Sequence, residues 1–167
     1  MRVLIVWFVL IVFAGCGYKP VSAYTKNIFE GGVYVDIDVS AFIPESSVSI
    51  KDAVNDAIVK RFHSKLMKKE EAQSYFKIIV QSITQSPIAY NQDGFVSFYR
   101  TTVVLDIHFH NNANVSFDVT NTGYYDYSAD YTSTVALENY RLESISNAAA
   151  QALDKFISQV AYYGEFY

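Results

Sequence analysis

Residues 75–131 read YFKIIVQSITQSPIAY, NQDG, FVSFYRTTVVLDIHFH, NNAN and VSFDVTNTGYYDYSADY in order, and a hydrophobic period of two runs through all three long pieces. Alternation of apolar and polar residues is the signature of half-buried strands. In the first piece Phe76, Ile78 and Val80 share a face while Ile83 falls on the other, so a bulge near Gln81-Ser82 is expected. Pro87 marks an edge or a strand end, because proline has no N–H for a ladder. Asn91-Gln92-Asp93-Gly94 is a hairpin turn, with Gly94 supplying the positive φ. The return strand places Phe95, Tyr99, Val103, Leu105, Ile107 and Phe109 on one face and Arg100, Thr102, Asp106, His108 and His110 on the other. After Asn111-Asn112-Ala113-Asn114, Val115, Phe117 and Val119 alternate with Ser116, Asp118 and Thr120. Gly123 interrupts that run before a tyrosine-rich stretch, Tyr124 to Tyr131, continues it.

Upstream, Val33, Val35, Ile37, Val39, Ala41 and Ile43 form another alternating strand, ended by Pro44. The period then changes: Ile50, Ala53, Val54, Ala57, Ile58, Phe62 and Leu66 fall at helical spacing opposite Lys51, Asp52, Asn55, Asp56 and Lys60. Ser49 with Asp52 resembles a capping box, and Lys65, Lys68 and Lys69 complement the far pole of the helix. Downstream, from about Thr134, Leu142, Ile145, Ala149, Ala152, Phe156 and Val160 recur at three- and four-residue steps. The expected fold is α+β, in the order β-α-β-β-β-α, with two helices packed on one face of a mainly antiparallel four-stranded sheet. Residues 33–167 make one such domain, as a length of 167 residues suggests.

The N-terminus is different in kind. Residues 1–15, MRVLIVWFVLIVFAG, carry one cation and an unbroken apolar run from Val3 to Phe13. As a helix that run rises only about 16 Å, roughly half the hydrocarbon thickness of a bilayer. It reads as a signal peptide. The single cysteine follows at once in Phe13-Ala14-Gly15-Cys16, the lipobox pattern of bacterial lipoproteins, so Cys16 is the expected lipidation site, with cleavage before it. One thiol excludes an intramolecular disulfide. Gly17, in place of Asp, fits sorting to the outer membrane. Residues 16–32, ending GYKPVSAYTKNIFEGG, hold no period and read as a lipidated tether. Several acyl chains, palmitate among them, make a stable anchor where a single chain is marginal. Covalent lipid on Cys16 is the only non-protein group expected.

The remaining composition excludes more than it assigns. Net charge is −4 and the pI about 5.3, which argues against nucleic-acid binding. Asp106, His108 and His110 project from one strand face about 6.6 Å apart, a spacing two metal ligands can use. They read instead as the polar face of a strand, with His63 remote, and no metal is expected. Asp36 and Asp38 read likewise as a solvated face. No nucleophile elbow, reactive thiol or phosphate-cradling loop is present, so no catalytic residues are expected and the chain is read as a non-enzyme. Tyrosine supplies broad contact area with a polar tip, which makes Tyr124, Tyr125 and Tyr127 candidate interface residues.

A Cys16-Gly17-Tyr18 start, a short tether, then strand, helix, three-strand meander and long helix together resemble the LptE lipoproteins of lipopolysaccharide assembly. The resemblance implies a plug inside the lumen of the outer-membrane barrel LptD, assistance to folding of that barrel, and contact with lipopolysaccharide. It also implies cations at the turn between the second and third strands and near the start of the last helix. Here the turn, Tyr90-Asn91-Gln92-Asp93-Gly94, has no cation, which leaves Arg100 and Arg141 as the nearby substitutes. The contact residues expected are therefore Tyr90, Asn91, Arg100, Tyr124, Tyr125, Tyr127 and Arg141. The alternative from another class is an envelope lipoprotein that regulates or pilots a different machine, a cell-wall synthase or a secretin.

Overall fold

Five phenylalanines, far apart in sequence, meet in the interior and explain which surfaces must face each other. Phe29, Phe62, Phe76, Phe109 and Phe156 are each at most 2% exposed. Their rings pack at centroid distances of 4.7 Å (Phe29–Phe62), 4.9 Å (Phe76–Phe109) and 5.3 Å (Phe76–Phe156), mixing stacked, tilted and edge-on geometry as ring quadrupoles favour. The computed structural model describes Phe29 and residues 31–39, 44–129 and 133–164. The signal peptide, Cys16, the tether up to residue 28 and Tyr131 lie outside the described residues.

The elements are β1 (Val33–Val39), α1 (Pro44–Lys60), β2 (Ser74–Tyr90), β3 (Val96–Asn111), β4 (Ser116–Ser128) and α2 (Thr134–Gly164), and the strands lie side by side in chain order. β1 and β2 run parallel, joined across the face by α1, while β2–β3 and β3–β4 are antiparallel hairpins. The sheet is thus mixed, mostly antiparallel with one parallel pair. Both helices cover one face: Ile50, Val54, Ala57 and Ile58 of α1, with Ile145, Ala149, Leu153 and Val160 of α2, are buried against Val33, Ile78, Val103, Leu105 and Ile107. No helix among the described residues is long and apolar enough to cross a membrane.

Three local expectations need correcting. The first helix opens at Pro44, five residues before the expected cap at Ser49. A proline lacks the N–H that the first helical turn leaves unpaired, and its fixed φ suits that turn, so Pro44 begins a helix. Residues 40–43, the expected tail of the first strand, lie outside the described residues. At the other end α1 stops at Lys60. The chain closes with Phe62 N–H to Ala57 C=O (3.0 Å) and Ser64 N–H to Ile58 C=O (3.1 Å), passing through His63 at φ 51°. Phe62 still reaches the core from this turn, which is why its spacing looks helical. Leu66 instead bridges Val33, and Lys65, Lys68 and Lys69 lie beyond the helix in a loop. Third, Gly123 does not interrupt β4; it sits inside the strand opposite Val103. A Cβ there would stand 1.9 Å from the Ala148 carbonyl oxygen, so the glycine lets α2 approach the sheet closely.

The expected bulge is present. Val80 pairs with Leu105 and Ser82 with Val104, which leaves Gln81 extra and turns Ile83 to the helix side opposite Val103. Among the described residues β1 pairs only with Ser74–Val80, and the helix that follows opens at Pro44, so the distal half of β2 is a sheet edge and tolerates Pro87. The β2–β3 hairpin therefore projects past β1.

Candidate functional site

The projecting hairpin, the far part of β4 and the first turns of α2 form one end of the molecule, the tip. Asn91 builds the turn. Its Oδ1 accepts from the N–H groups of Asp93 (3.0 Å) and Phe95 (2.9 Å), and Gly94, at φ 83°, closes the loop with its N–H on Asn91 C=O at 3.1 Å. Asn91 is thus occupied in holding the loop, while Tyr90 beside it is exposed.

Arg100 and Asp126 face each other across β3 and β4. Nε donates to Oδ1 at 2.7 Å and Nη2 to Oδ2 at 2.8 Å, a two-pronged pair of the kind a planar guanidinium favours. The hydrogen bond from Arg100 holds the Asp126 carboxyl below its ordinary value, and Asp126 in turn raises Arg100. The Arg100 guanidinium also lies 5.3 Å from the Tyr124 ring centroid, and Lys155 Nζ lies at the same distance from that ring. On α2, Arg141 makes a second two-pronged pair, Nε to Glu138 Oε2 at 2.8 Å and Nη2 to Oε1 at 2.6 Å, which lowers Glu138. The two cations expected to meet lipid phosphates are each matched by a carboxylate.

The structure brings the expected contact residues to the tip but on different faces. Tyr124 and Arg100 lie on the open face of the sheet, while Tyr125 and Tyr127 lie on the helix side. Tyr127 is turned inward at 7% exposure, stacked on Tyr99 at 5.6 Å, and burial raises its hydroxyl. It supports the surface without presenting one. Tyr90, Tyr124 and Tyr125 are exposed, and so are residues the sequence pattern did not single out: Ile88, Phe95 (64%), Phe98, Val135 (71%) and Tyr140. Phe95 keeps the phase of the buried face yet extends past the helices that bury that face. A signal existed in the strand lengths: arms of 17 and 16 residues outrun a first strand that Pro44 limits to eleven. The tip is therefore an apolar, aromatic end whose cations are paired.

The aspartate and histidines of the open face have separate partners. Asp106 accepts from Thr120 Oγ1 at 2.7 Å and from Gln81 Nε2, bonds that lower its carboxyl. His108 Nδ1 meets Asp118 Oδ1 at 2.6 Å, and His110 stacks on Tyr75 at 4.8 Å. Asp36 and Asp38 are exposed on β1, opposite Lys77 and Ile79. Among the described residues no group of three or more His, Cys, Asp or Glu could hold a metal ion.

No curated protein matches the chain in sequence. Among solved structures, a putative lipoprotein from Caulobacter crescentus superposes with a TM-score of 0.52 at 12% identity, over 87% of this chain and 96% of that one. A protein from Xanthomonas campestris gives 0.51 at 10% identity, over 78% and 87%; these two likenesses concern the fold alone. Rare lipoprotein B from Shewanella oneidensis gives 0.49 at 15% identity, over 80% and 96%. The model of the LptE family, described as lipopolysaccharide-assembly, matches residues 34–160, which run from the start of β1 nearly to the end of α2. With that match spanning all four strands and both helices but for their outermost residues, the chain belongs to the LptE family of lipopolysaccharide-assembly proteins.

Proposed function

We propose that this chain is an outer-membrane lipoprotein, anchored by acyl chains on Cys16, that seats in the lumen of an LptD-like barrel and assists insertion of lipopolysaccharide into the outer leaflet. The observation that carries the reading is the family match across the whole sheet and both helices. Shape and surface support it. A plug in a water-lined lumen needs polar hydrogen-bonding groups on its walls, and the open sheet face supplies Asp36, Lys77, Asp106, His108 and Asp118 in register. At the tip, paired charges and exposed aromatics suit contact with a protein wall or with amphipathic lipid. The role is binding and assembly, with no catalytic step assigned.

Extraction of the membrane in mild detergent, followed by purification of the full chain, tests the reading. A large barrel protein should copurify in stoichiometric amount; recovery of a free monomer alone overturns the barrel partnership. Mass spectrometry of the N-terminal peptide tests the anchor separately, since a free thiol on Cys16 would remove it.

A further inference from the structure

The end of the molecule opposite the tip is basic in a chain that is otherwise acidic. Residues 60–71 carry Lys60, Arg61, Lys65, Lys68 and Lys69 against Glu70 and Glu71, whereas the whole chain has 13 Lys and Arg against 17 Asp and Glu. Lys60 pairs with Asp56 and Arg61 with Asp154 through exposed side chains. Among the described residues Lys65, Lys68 and Lys69 form no ion pair. They flank Leu66 and Met67, both exposed, and α2 delivers Tyr162, 62% exposed, to the same end. Long basic side chains with aliphatic and tyrosine neighbours are the composition of a surface that lies at a lipid headgroup layer.

This loop is bolted to the point where the N-terminal segment enters the domain. Val33 N–H donates to Lys65 C=O at 2.8 Å, and Met67 N–H to Val33 C=O at 2.9 Å. Only residues 17–32 separate Val33 from Cys16. Phe29 is already packed in the core and Val33 is bonded to the loop, so the lysines stand beside the point where the chain that carries the anchor enters the domain. The open sheet face opposes contact: it carries Asp36, Asp38, Asp106, Asp118 and Asp126 against Lys77 and Arg100. An anionic surface repels that face and attracts the loop, which orients the domain.

We infer that the loop of Lys65, Leu66, Met67, Lys68 and Lys69 is a membrane-contact surface that binds anionic phospholipid headgroups and stands the domain on its base, tip outward. The inference rests on the Cys16 anchor proposed above for its geometry, and its test does not use that anchor. The core is built from Phe29 to Val160, so residues 17–167 retain all of it and can be purified without lipid. That chain is floated with vesicles of phosphatidylcholine alone, or of phosphatidylcholine with 30% phosphatidylglycerol. Binding should be at least about fivefold stronger on the anionic vesicles. It should fall to the neutral-vesicle level in K65Q/K68Q/K69Q, whose far-ultraviolet circular dichroism should match the parent, and in the parent at 0.5 M NaCl. K51Q, which removes a cation from the exposed side of α1, should float like the parent. Equal partition onto both vesicles, retention of binding by the triple variant or in high salt, or binding confined to lipopolysaccharide aggregates overturns the inference. Copurification of a barrel with the full-length triple variant reads the barrel partnership independently of the vesicle result.

Discussion

Gly123 shows how a single residue sets a whole interface. It lies in the middle of β4 and would be a weak choice there on propensity, yet it is where α2 comes nearest the sheet. Replacement by alanine puts a methyl group 1.9 Å from the Ala148 carbonyl oxygen and 2.8 Å from Ala152 N, both backbone atoms that cannot swing aside. G123A should therefore destabilise by about 1–3 kcal/mol or more, as overpacked cores do; urea unfolding reads this, and an unchanged midpoint would show that α2 is free to shift. A second prediction concerns acid. Asp106, Asp126 and Glu138 are lowered by hydrogen bonds from Thr120 and Gln81, from Arg100, and from Arg141 respectively. Their stabilisation is fully present above the ordinary carboxylate values near 4 and is lost as pH falls through the lowered folded values. The urea midpoint should hold steady from pH 7 to about 5 and decline below about 4, and D106N should make the decline shallower. An identical acid limb in D106N would remove Asp106 as a contributor.

At the scale of elements, β4 lies at a sheet edge and α2 guards it. Lys155 Nζ donates to Thr122 C=O at 2.6 Å, and Tyr124 N–H donates to Gln151 Oε1 at 2.8 Å. Two backbone groups that could template another strand are thereby occupied. Q151A/K155A should cost only about 1–2 kcal/mol in stability but raise concentration-dependent self-association, which analytical ultracentrifugation would detect; a strictly monomeric variant would mean the edge is protected elsewhere. Such contacts also show where sequence reading stops. The sheet was legible because a period of two survives one bulge, and Ile83 out of phase pointed to the extra residue at Gln81. The boundaries of α1 were not. A proline such as Pro44 can end an extended run or open a helix by the same two properties, a fixed φ and a missing N–H, and only the fold decides which use prevails. Phe62 kept helical spacing although a turn delivers it. At the tip, the tyrosines were visible as a run in the sequence. The neutralisation of Arg100 depends on Asp126 arriving from the next strand, and the inward turn of Tyr127 on Tyr99 and α2, which no local pattern records.

At the scale of the whole molecule, length mismatch between β1 and the β2–β3 hairpin creates the two ends. The hairpin extends beyond β1, so apolar residues that continue the buried pattern emerge uncovered at one end, while the loop after α1 gathers lysines at the other. A plug anchored at its base would present the tip furthest along the barrel, where Tyr90, Phe95 and Phe98 stand exposed. Because these side chains already face solvent, replacing them removes little buried area from the folded chain. Y90S/F95S/F98S should leave the unfolding free energy read from urea titration within about 1 kcal/mol of the parent. If the tip is the surface that grips a barrel wall or amphipathic lipid, the loss should appear in association: aromatic anchors carry a disproportionate share of interface energy. Recovery of the barrel in detergent extracts should then fall by at least about tenfold, equivalent to about 1.4 kcal/mol. Full copurification by a triple variant with parental stability would mean that the lumen is engaged through the polar sheet face, and the exposed aromatics of the hairpin would need a different partner.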